Sequence, residues 1–249
     1  MNGANGYRTL KEDPERPIQR DYERGHEDPI SVLTGLCREM YRLGWVTGTG
    51  GGISLRQGRF VYMAPSGVQK ERIRRDDVFV LDSESGEVLC RPEHAPTLRV
   101  SQCCPLFFNA FRLRDAGACI HTHSPVAVMA TMLPATELES EFRITHLEMI
   151  KGLPGYGYHD TLVIPLIDNT AQEEELAGAM AEAMKRYARS PAVLVRRHGL
   201  YAWGRDYTEA KTVTECLDYL FDIAVRMHSA GLDYTKAPQN CLQCSAADR

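Results

Sequence analysis

The stretch Ala118-Cys-Ile-His-Thr-His-Ser-Pro125 places two histidines at the end of a short apolar run. Side chains at positions i and i+2 of an extended strand point to one face, so His121 and His123 can converge on one ion. Ser124 and Pro125 follow as a helix N-cap and a first helical residue, which predicts that the strand ends there. These two histidines alone leave two interpretations equally open, namely metal binding and ordinary hydrogen bonding in a half-buried strand.

A third histidine lies in the same kind of place. The segment Ala192-Val-Leu-Val-Arg-Arg-His-Gly199 is a β-branched run that ends in His198 and a glycine. First-row metals suit imidazole ligands. Catalytic zinc sites typically have three protein ligands and one open position, whereas structural zinc sites are closed by four. We therefore predict a catalytic metal site formed by His121, His123 and His198.

The composition indicates one large domain. The chain has 249 residues, 43% of them hydrophobic, a net charge of −4 and a pI near 6.1. This provides ample core material and argues against nucleic acid as a partner. No apolar run is long enough to span a bilayer, and no basic-then-apolar leader is visible, which argues against a membrane. Eight scattered cysteines, mostly in apolar contexts, predict reduced thiols and a cytoplasmic location.

Residue patterns predict an α/β chain of short strands and amphipathic helices. We expect a mobile charged tail over residues 1–28, one domain over 29–232, and a C-terminal tail over 233–249 that contains an uninformative Cys-x-x-Cys pair. Strands are expected at 60–64, 78–81, 87–90 and 162–164, with a hairpin between the second and third. Helices are expected from Asp28 to Gly44, from Ser101 to Leu113, from a Thr170/Glu173 capping box to Tyr187, and from Asp206 to Gly231.

Four glycines occur within five residues in Gly48-Thr-Gly-Gly-Gly52. Such a run lets the backbone approach a ligand closely and turn its N–H groups inward, as anion-binding nests do. The spacing matches neither a P-loop nor a dinucleotide-binding fingerprint. By itself, the run is better explained as a flexible turn.

These motifs, in this order, resemble the class II (zinc-dependent) aldolase family, which also includes epimerases and the adducin head. Within that family the resemblance is greatest to the dehydratases of methionine salvage. It rests on six segments spread over roughly residues 30–232, namely 43–54, 64–71, 101–103, 120–124, 145–152 and 194–199. The resemblance implies a central mixed or antiparallel β-sheet flanked by helices, one Zn²⁺ per subunit on the three histidines, and a homotetramer with its sites at subunit interfaces.

The resemblance also implies that Glu148 is the general acid/base. From the sequence alone, a surface carboxylate near a strand end is the more frequent situation. A dehydratase nevertheless needs a group that removes a proton and returns it to a leaving hydroxyl, and a carboxylate beside a cation can do both.

One residue distinguishes this chain from the aldolases and epimerases of the family. Aldolases and epimerases carry a glutamate near the start of the helix before the His-x-His strand, where this chain has Cys103. A thiol is a poor substitute for that carboxylate, so the resemblance favours dehydration and implies that Cys103 contacts the substrate. Without the resemblance, a thiol packed in the core is an equally good interpretation.

The implied substrate is a ketose 1-phosphate. The asparagine that binds phosphate in the aldolases is replaced here by Gly52, so the contact must come from the backbone or from elsewhere. The predicted substrate and phosphate contacts are Gly51, Gly52, Ser66, Gly67 and Ser101. Lys70 could add positive charge for the phosphate, but a lysine in a charged stretch is more often a solvated surface residue, which is the interpretation we favour.

Two other functions remain open. One is an aldolase or epimerase acting on another sugar phosphate, for which Cys103 is the discriminating position. The other is a non-catalytic member that resembles the adducin head and binds proteins. Retention of three histidines and Glu148 argues against a loss of chemistry.

Overall fold

A nine-stranded mixed β-sheet forms the centre of the molecule. The structure is a computed structural model that describes residues 27–238. The strands are Gly52–Gln57 (β1), Phe60–Met63 (β2), Phe79–Asp82 (β3), Val88–Cys90 (β4), Ala118–Thr122 (β5), Glu141–Thr145 (β6), Thr161–Ile167 (β7), Ala192–Val195 (β8) and Gly199–Gly204 (β9). Their order is β4-β3-β2-β1-β5-β9-β8-β7-β6, and among them only β7 and β8 pair in parallel. The predicted fold class is confirmed.

Helices cover both faces of the sheet. They are Pro29–Arg42 (α1), Cys104–Arg114 (α2), Pro125–Ala130 (α3), Pro134–Glu139 (α4), Ala177–Arg186 (α5) and Tyr207–Ser229 (α6). Helices α1, α3 and α6 pack on one face, and α2 and α5 pack on the other. The two-residue period of a strand divides β5 between these layers. Ile120 packs in the core beneath α1, whereas Cys119 packs in the core beneath α2.

The ends of α1 and α6 follow the predicted signals. The Asp28 carboxylate accepts a hydrogen bond from the Ser31 amide (3.0 Å), and the Asp206 carboxylate accepts one from the Glu209 amide (2.8 Å). These caps satisfy amides that have no partner within the helix. Gly44 and Gly231, at φ +78° and +73°, follow the two C-termini in the left-handed region that glycine adopts without strain.

Two predicted helix starts need correction. Helix α2 begins at Cys104, because a turn occupies Ser101 to Cys103, in which the Ser101 hydroxyl accepts from the Cys103 amide (3.2 Å). Ser124 does stand at the N-cap of α3, but its side chain makes no capping bond. Its hydroxyl donates to the carboxylate of Asp218 instead, which links the end of β5 to α6.

The sheet and its helices lie between Pro29 and Ser229, and the domain expected over residues 29–232 stays a prediction. Tyr234, just past its expected end, is buried, and its carbonyl accepts a hydrogen bond from the Thr145 amide (3.2 Å). The predicted tail residues 1–26 and 239–249, with Cys241 and Cys244, lie outside the described residues. All six cysteines between residues 27 and 238 are free. No helix in that range is both long and apolar enough to cross a membrane.

Candidate metal centre

The three predicted histidines meet at one point on the α2 side of the sheet. His121 is in β5, His123 follows that strand, and His198 occupies the turn between β8 and β9. The Nε2 atoms of His121 and His123 are 2.9 Å apart, and those of His123 and His198 are 3.0 Å apart. Pairing of β5 with β9 places Tyr201 opposite His121, and the two rings stack with centroids 4.0 Å apart. The predicted convergence of the three imidazoles is confirmed.

The hydrogen bonds around the cluster direct nitrogen lone pairs toward its centre. Nδ1 of His121 lies 3.0 Å from the carbonyl oxygen of Leu200, and Nδ1 of His198 lies 3.0 Å from the side-chain oxygen of Asn169. Because these oxygens can only accept, each Nδ1 carries the proton and each Nε2 keeps its lone pair, as in metal-ligating histidines. The Nε2 atoms of His121, His123 and His198 are close enough together to share one cation. The donor set therefore fits a divalent metal.

Burial keeps the ligands in the form that binds metal. Desolvation, reinforced by the neighbouring histidines, lowers the pKa of His123 to about 3. Desolvation and the charge of His121 lower the pKa of His198 to about 4. Both imidazoles are consequently neutral at physiological pH, which is the state in which imidazole coordinates a metal.

A fourth side chain, Glu173, joins the cluster, which corrects the predicted capping box. Its Oε1 atom lies 2.8 Å from Nε2 of His121 and 3.7 Å from Nε2 of His198. The capping box is formed instead by Gln172 and Glu175, two residues further along the chain. All four residues can offer a ligand atom within 4.8 Å of one another, so the group could hold one metal ion.

Two side-chain donors hold the Glu173 carboxylate. The Tyr201 hydroxyl donates to it at 2.5 Å, and the thiol of the buried Cys103 is also hydrogen-bonded to it. Burial alone would raise the pKa of Glu173, but the interaction with His121 and the hydrogen bonds from Tyr201 and Cys103 outweigh burial and lower it. Burial and the Glu173 charge raise the pKa of Cys103 to about 12, so that residue is a neutral thiol. A carboxylate therefore lies next to the position where the aldolases carry their glutamate, but it comes from another segment.

A polar cleft of about 340 Å³ opens over the cluster. Its walls bring together the metal centre and the segment that follows β7. The lining residues are Gln102, His123, Asn169, Thr170, Ala171, Glu173, Arg197 and His198. A volume of this size suits a small substrate.

The glycine run packs against the histidines. A Cβ atom on Gly50 would lie 2.4 Å from Nδ1 of His123, and one on Gly51 would lie 2.8 Å from the carbonyl oxygen of His121. Gly51 also has a φ of +66°, which L side chains rarely adopt. The glycines are therefore needed because this loop packs closely against β5 and its histidines. The sequence did not indicate this packing role.

The remaining predicted site residues lie at different distances from the cluster. Cys103 is in its hydrogen-bond network, and Gly52 lies next to the Cys103 thiol. Ser66 and Gly67 form the turn after β2, and Ser101 precedes α2. Glu148 lies apart: its side chain is 72% exposed, it pairs with Lys151 (2.5 Å), and it does not line the cleft. The roles assigned to these residues stay predictions.

The family model described as "Class II Aldolase and Adducin N-terminal domain" matches residues 31–225. The chain belongs to the class II aldolase and adducin family. Curated relatives place it more narrowly. It is 54% identical to a methylthioribulose-1-phosphate dehydratase of Aquarana catesbeiana, with 87% of this chain and 90% of the relative covered. It is 53% identical to the dehydratase of Mus musculus, with 85% and 89% covered. It is therefore a member of the methylthioribulose-1-phosphate dehydratase group of this class II aldolase family.

Solved structures share the fold. An L-fuculose 1-phosphate aldolase superposes with a TM-score of 0.69 at 21% identity, covering 90% of this chain and 96% of that one. YgbL of Escherichia coli, described as a putative aldolase/epimerase/decarboxylase, gives a TM-score of 0.68 at 17% identity, with 84% and 93% covered. At these identities, the likeness concerns architecture alone.

Proposed function

We propose that this chain catalyses the dehydration of 5-methylthioribulose 1-phosphate to 2,3-diketo-5-methylthiopentyl 1-phosphate in methionine salvage. The chain is a hydro-lyase of the methylthioribulose-1-phosphate dehydratase group, and its substrate is a phosphorylated sugar. The observation that carries this is the intact cluster of His121, His123, His198 and Glu173 in a chain 54% identical to such a dehydratase. The polar cleft over that cluster is large enough for one sugar phosphate.

The metal is proposed to be zinc, one ion per subunit. His121, His123 and His198 would hold it, and Glu173 would complete four protein ligands until substrate oxygens take its place. Three imidazoles and a carboxylate are ligands that zinc favours. When bound, zinc would supply Lewis-acid stabilisation of negative charge on the substrate oxygens.

The reaction needs one proton removed and one delivered. Glu148 is proposed to take the proton from C3 of the ketose and to protonate the C4 hydroxyl, which leaves as water. The resulting enol ketonises to the 2,3-diketone, so the overall change is loss of one water molecule. A single carboxylate can perform both transfers, because the proton that it takes in the first step is the one that it returns in the second.

Glu148 is proposed to act in the site of a neighbouring subunit. In one chain it is exposed and lies outside the cleft. The proposed homotetramer, with sites at its interfaces, would bring this surface of one copy against the cleft of the next. The ion pair with Lys151 then holds the carboxylate ready on its 3₁₀ turn, Glu148–Gly152.

Cys103 and the loops around the cluster are proposed to bind the rest of the substrate. The neutral thiol of Cys103 donates to Glu173 and would contact the sugar when that carboxylate moves. Gly51, Gly52, Ser66, Gly67 and Ser101 are proposed for the phosphate end. A cytoplasmic location also stays a prediction.

The deciding experiment is a dehydration assay with metal content measured on the same sample. We expect diketone formation from 5-methylthioribulose 1-phosphate, its loss on chelation, and its return with zinc. Release of an aldehyde and a ketone phosphate, or inversion at a carbinol carbon, would instead make the chain an aldolase or an epimerase. Absence of both metal and turnover would indicate a binding protein.

A further inference from the structure

Lys70 is buried, contrary to its interpretation as a solvated residue. Lys70 is the first residue of the 3₁₀ turn Lys70–Arg72, and it is only 2% exposed to solvent. No other lysine or arginine among residues 27–238 is buried. Lysine is almost never fully buried unless its charge has a partner. The position of this ammonium group therefore calls for an explanation.

The ammonium group joins two loops. Nζ donates to the carbonyl oxygen of Thr49 (3.0 Å) and to that of Val68 (3.2 Å). Thr49 directly precedes the three glycines that pack on the ligand strand, and Val68 directly follows the Ser66–Gly67 turn. Lys70 thus fixes the distance between the two loops to which the proposed phosphate contacts belong.

No carboxylate within the described residues forms a direct ion pair with Lys70. No carboxylate oxygen between residues 27 and 238 lies within 4.0 Å of Nζ. An ammonium group has three donors, and the two carbonyls use two of them. A buried cation without a counter-charge is costly, and a bound anion would offset that cost.

The cation also acts on the metal centre at longer range. Burial lowers the pKa of Lys70, and electrostatic interactions with Cys37, Cys103, Glu173 and Glu71 oppose this effect. Its charge in turn contributes to the lowered pKa of His123. Lys70 therefore lies within electrostatic reach of both the cluster and the loops beside it.

We propose that Lys70 is the cation of the phosphate subsite, where its third donor and its charge meet the substrate phosphate while its other donors hold the two loops. This proposal rests on the proposed function, because it names the residue that would bind the phosphate of the ketose substrate. A buried, preorganised cation is well suited to a dianion, since it needs little reorganisation on binding.

The test compares Lys70→Gln with Lys70→Arg in the zinc-loaded, full-length protein. Glutamine can still donate to the two carbonyls but carries no charge, whereas arginine keeps the charge. We expect Lys70→Gln to raise KM for the phosphorylated substrate about tenfold to hundredfold, with kcat changed less than about threefold. Inhibition by inorganic phosphate should weaken by a similar factor, and Lys70→Arg should restore most of it. The matched control is Lys185→Gln, whose exposed lysine on α5 pairs with Glu182.

Two comparisons separate a phosphate role from loop support. Unphosphorylated 5-methylthioribulose should be turned over by Lys70→Gln and the wild type with kcat/KM equal within about twofold. An equal loss on both substrates would overturn the proposal. If the wild type dehydrates neither sugar, the proposed function fails, and calorimetric titration with inorganic phosphate still decides the role of Lys70.

A crystal structure of the wild type with inorganic phosphate keeps the test independent of how well the variants fold. A phosphate oxygen within hydrogen-bond distance of Nζ, on the order of 3 Å, supports the proposal. A map without phosphate beside Lys70, at a concentration that inhibits the enzyme, refutes it.

Discussion

Single residues define the chemistry of this site, and they differ in how visible they were in the sequence. The three histidines stand at strand ends, where period-two geometry and the metal preference of imidazole predict their convergence. Glu173 was missed because Thr170-x-x-Glu173 already satisfied a capping pattern, and only the fold shows that its side chain turns into the cluster. Lys70 was misinterpreted for a similar reason, because a lysine among charged neighbours has no sequence signature of burial.

Replacement of Glu173 tests whether its carboxylate is a metal ligand. We expect Glu173→Gln to weaken zinc affinity by about tenfold to hundredfold, since an amide is a poorer ligand for zinc than a carboxylate. A competitive chelator titration measures the affinity, and the visible spectrum of the cobalt-loaded protein reports the change in ligands. The exposed neighbour Glu174→Gln serves as control. Unchanged affinity and spectrum would leave Glu173 as a hydrogen-bond partner of the histidines alone.

The lowered pKa values of His123 and His198 predict a pH dependence of the metal-free protein. The unfolded histidines take up protons near pH 6.5, whereas the folded ones do so only near pH 3 and 4. Below pH 6.5 the unfolded state therefore binds more protons, so the free energy of unfolding falls as the pH falls toward about 4. Urea midpoints of chelated protein across this range measure the slope. His198→Gln should have a shallower slope, and an equal slope would contradict the assignment.

At the scale of helices and strands, close packing of one backbone segment on another positions the metal-ligating histidines. The predicted helices and strands were largely confirmed, because amphipathic stripes, Asp caps and glycine stops are local signals. The strands β1, β6 and β9 and helix α4 were not predicted, and the start of α2 was placed too early. A serine-centred turn, strands that begin at a glycine and a strand at the edge of the sheet leave weaker local patterns. The glycine run by itself was interpreted as a flexible turn, and Gly51 and Gly52 stay predicted substrate contacts. In the fold, the missing side chains of the run also make room for the histidines.

Gly50→Ala tests this packing role. The new methyl group would overlap the His123 ring, so we expect substoichiometric zinc after dialysis and a loss of stability on the order of 1–3 kcal/mol. Metal analysis and urea unfolding measure the two effects. Gly178→Ala is the matched control, because it lies exposed in α5 with no atom within 4 Å of the new Cβ. It should bind zinc normally and gain about 0.5–1 kcal/mol from its better helix propensity.

At the scale of the whole molecule, the question is how many copies make one active site. A single chain holds the histidine cluster and leaves Glu148 exposed. The sequence could not place Glu148 relative to the cluster, because that relation depends on packing between elements and, under the proposed assembly, between subunits.

Mixing two inactive variants tests the shared site. His198→Ala lacks a metal ligand, and Glu148→Gln lacks the proposed acid/base. Each alone should be inactive, and Glu148→Gln should keep its zinc. Hetero-oligomers refolded from equal amounts should recover a substantial part of wild-type turnover, since some interfaces combine an intact cluster with an intact glutamate. Recovery requires that the two groups come from different chains. No recovery, in oligomers shown to be mixed, would place Glu148 in the site of its own chain.

The position of β5 between β1 and β9 also bears on how the chain folds. The cluster joins His123 to His198, which are 75 residues apart along the chain. Because contacts between segments so far apart in the chain form slowly, we expect the metal site to be completed after the folding barrier has been crossed. Interactions that form after the barrier change the unfolding rate and leave the folding rate nearly unaltered. Bound zinc should therefore slow the unfolding of the subunit and leave its folding rate nearly unchanged.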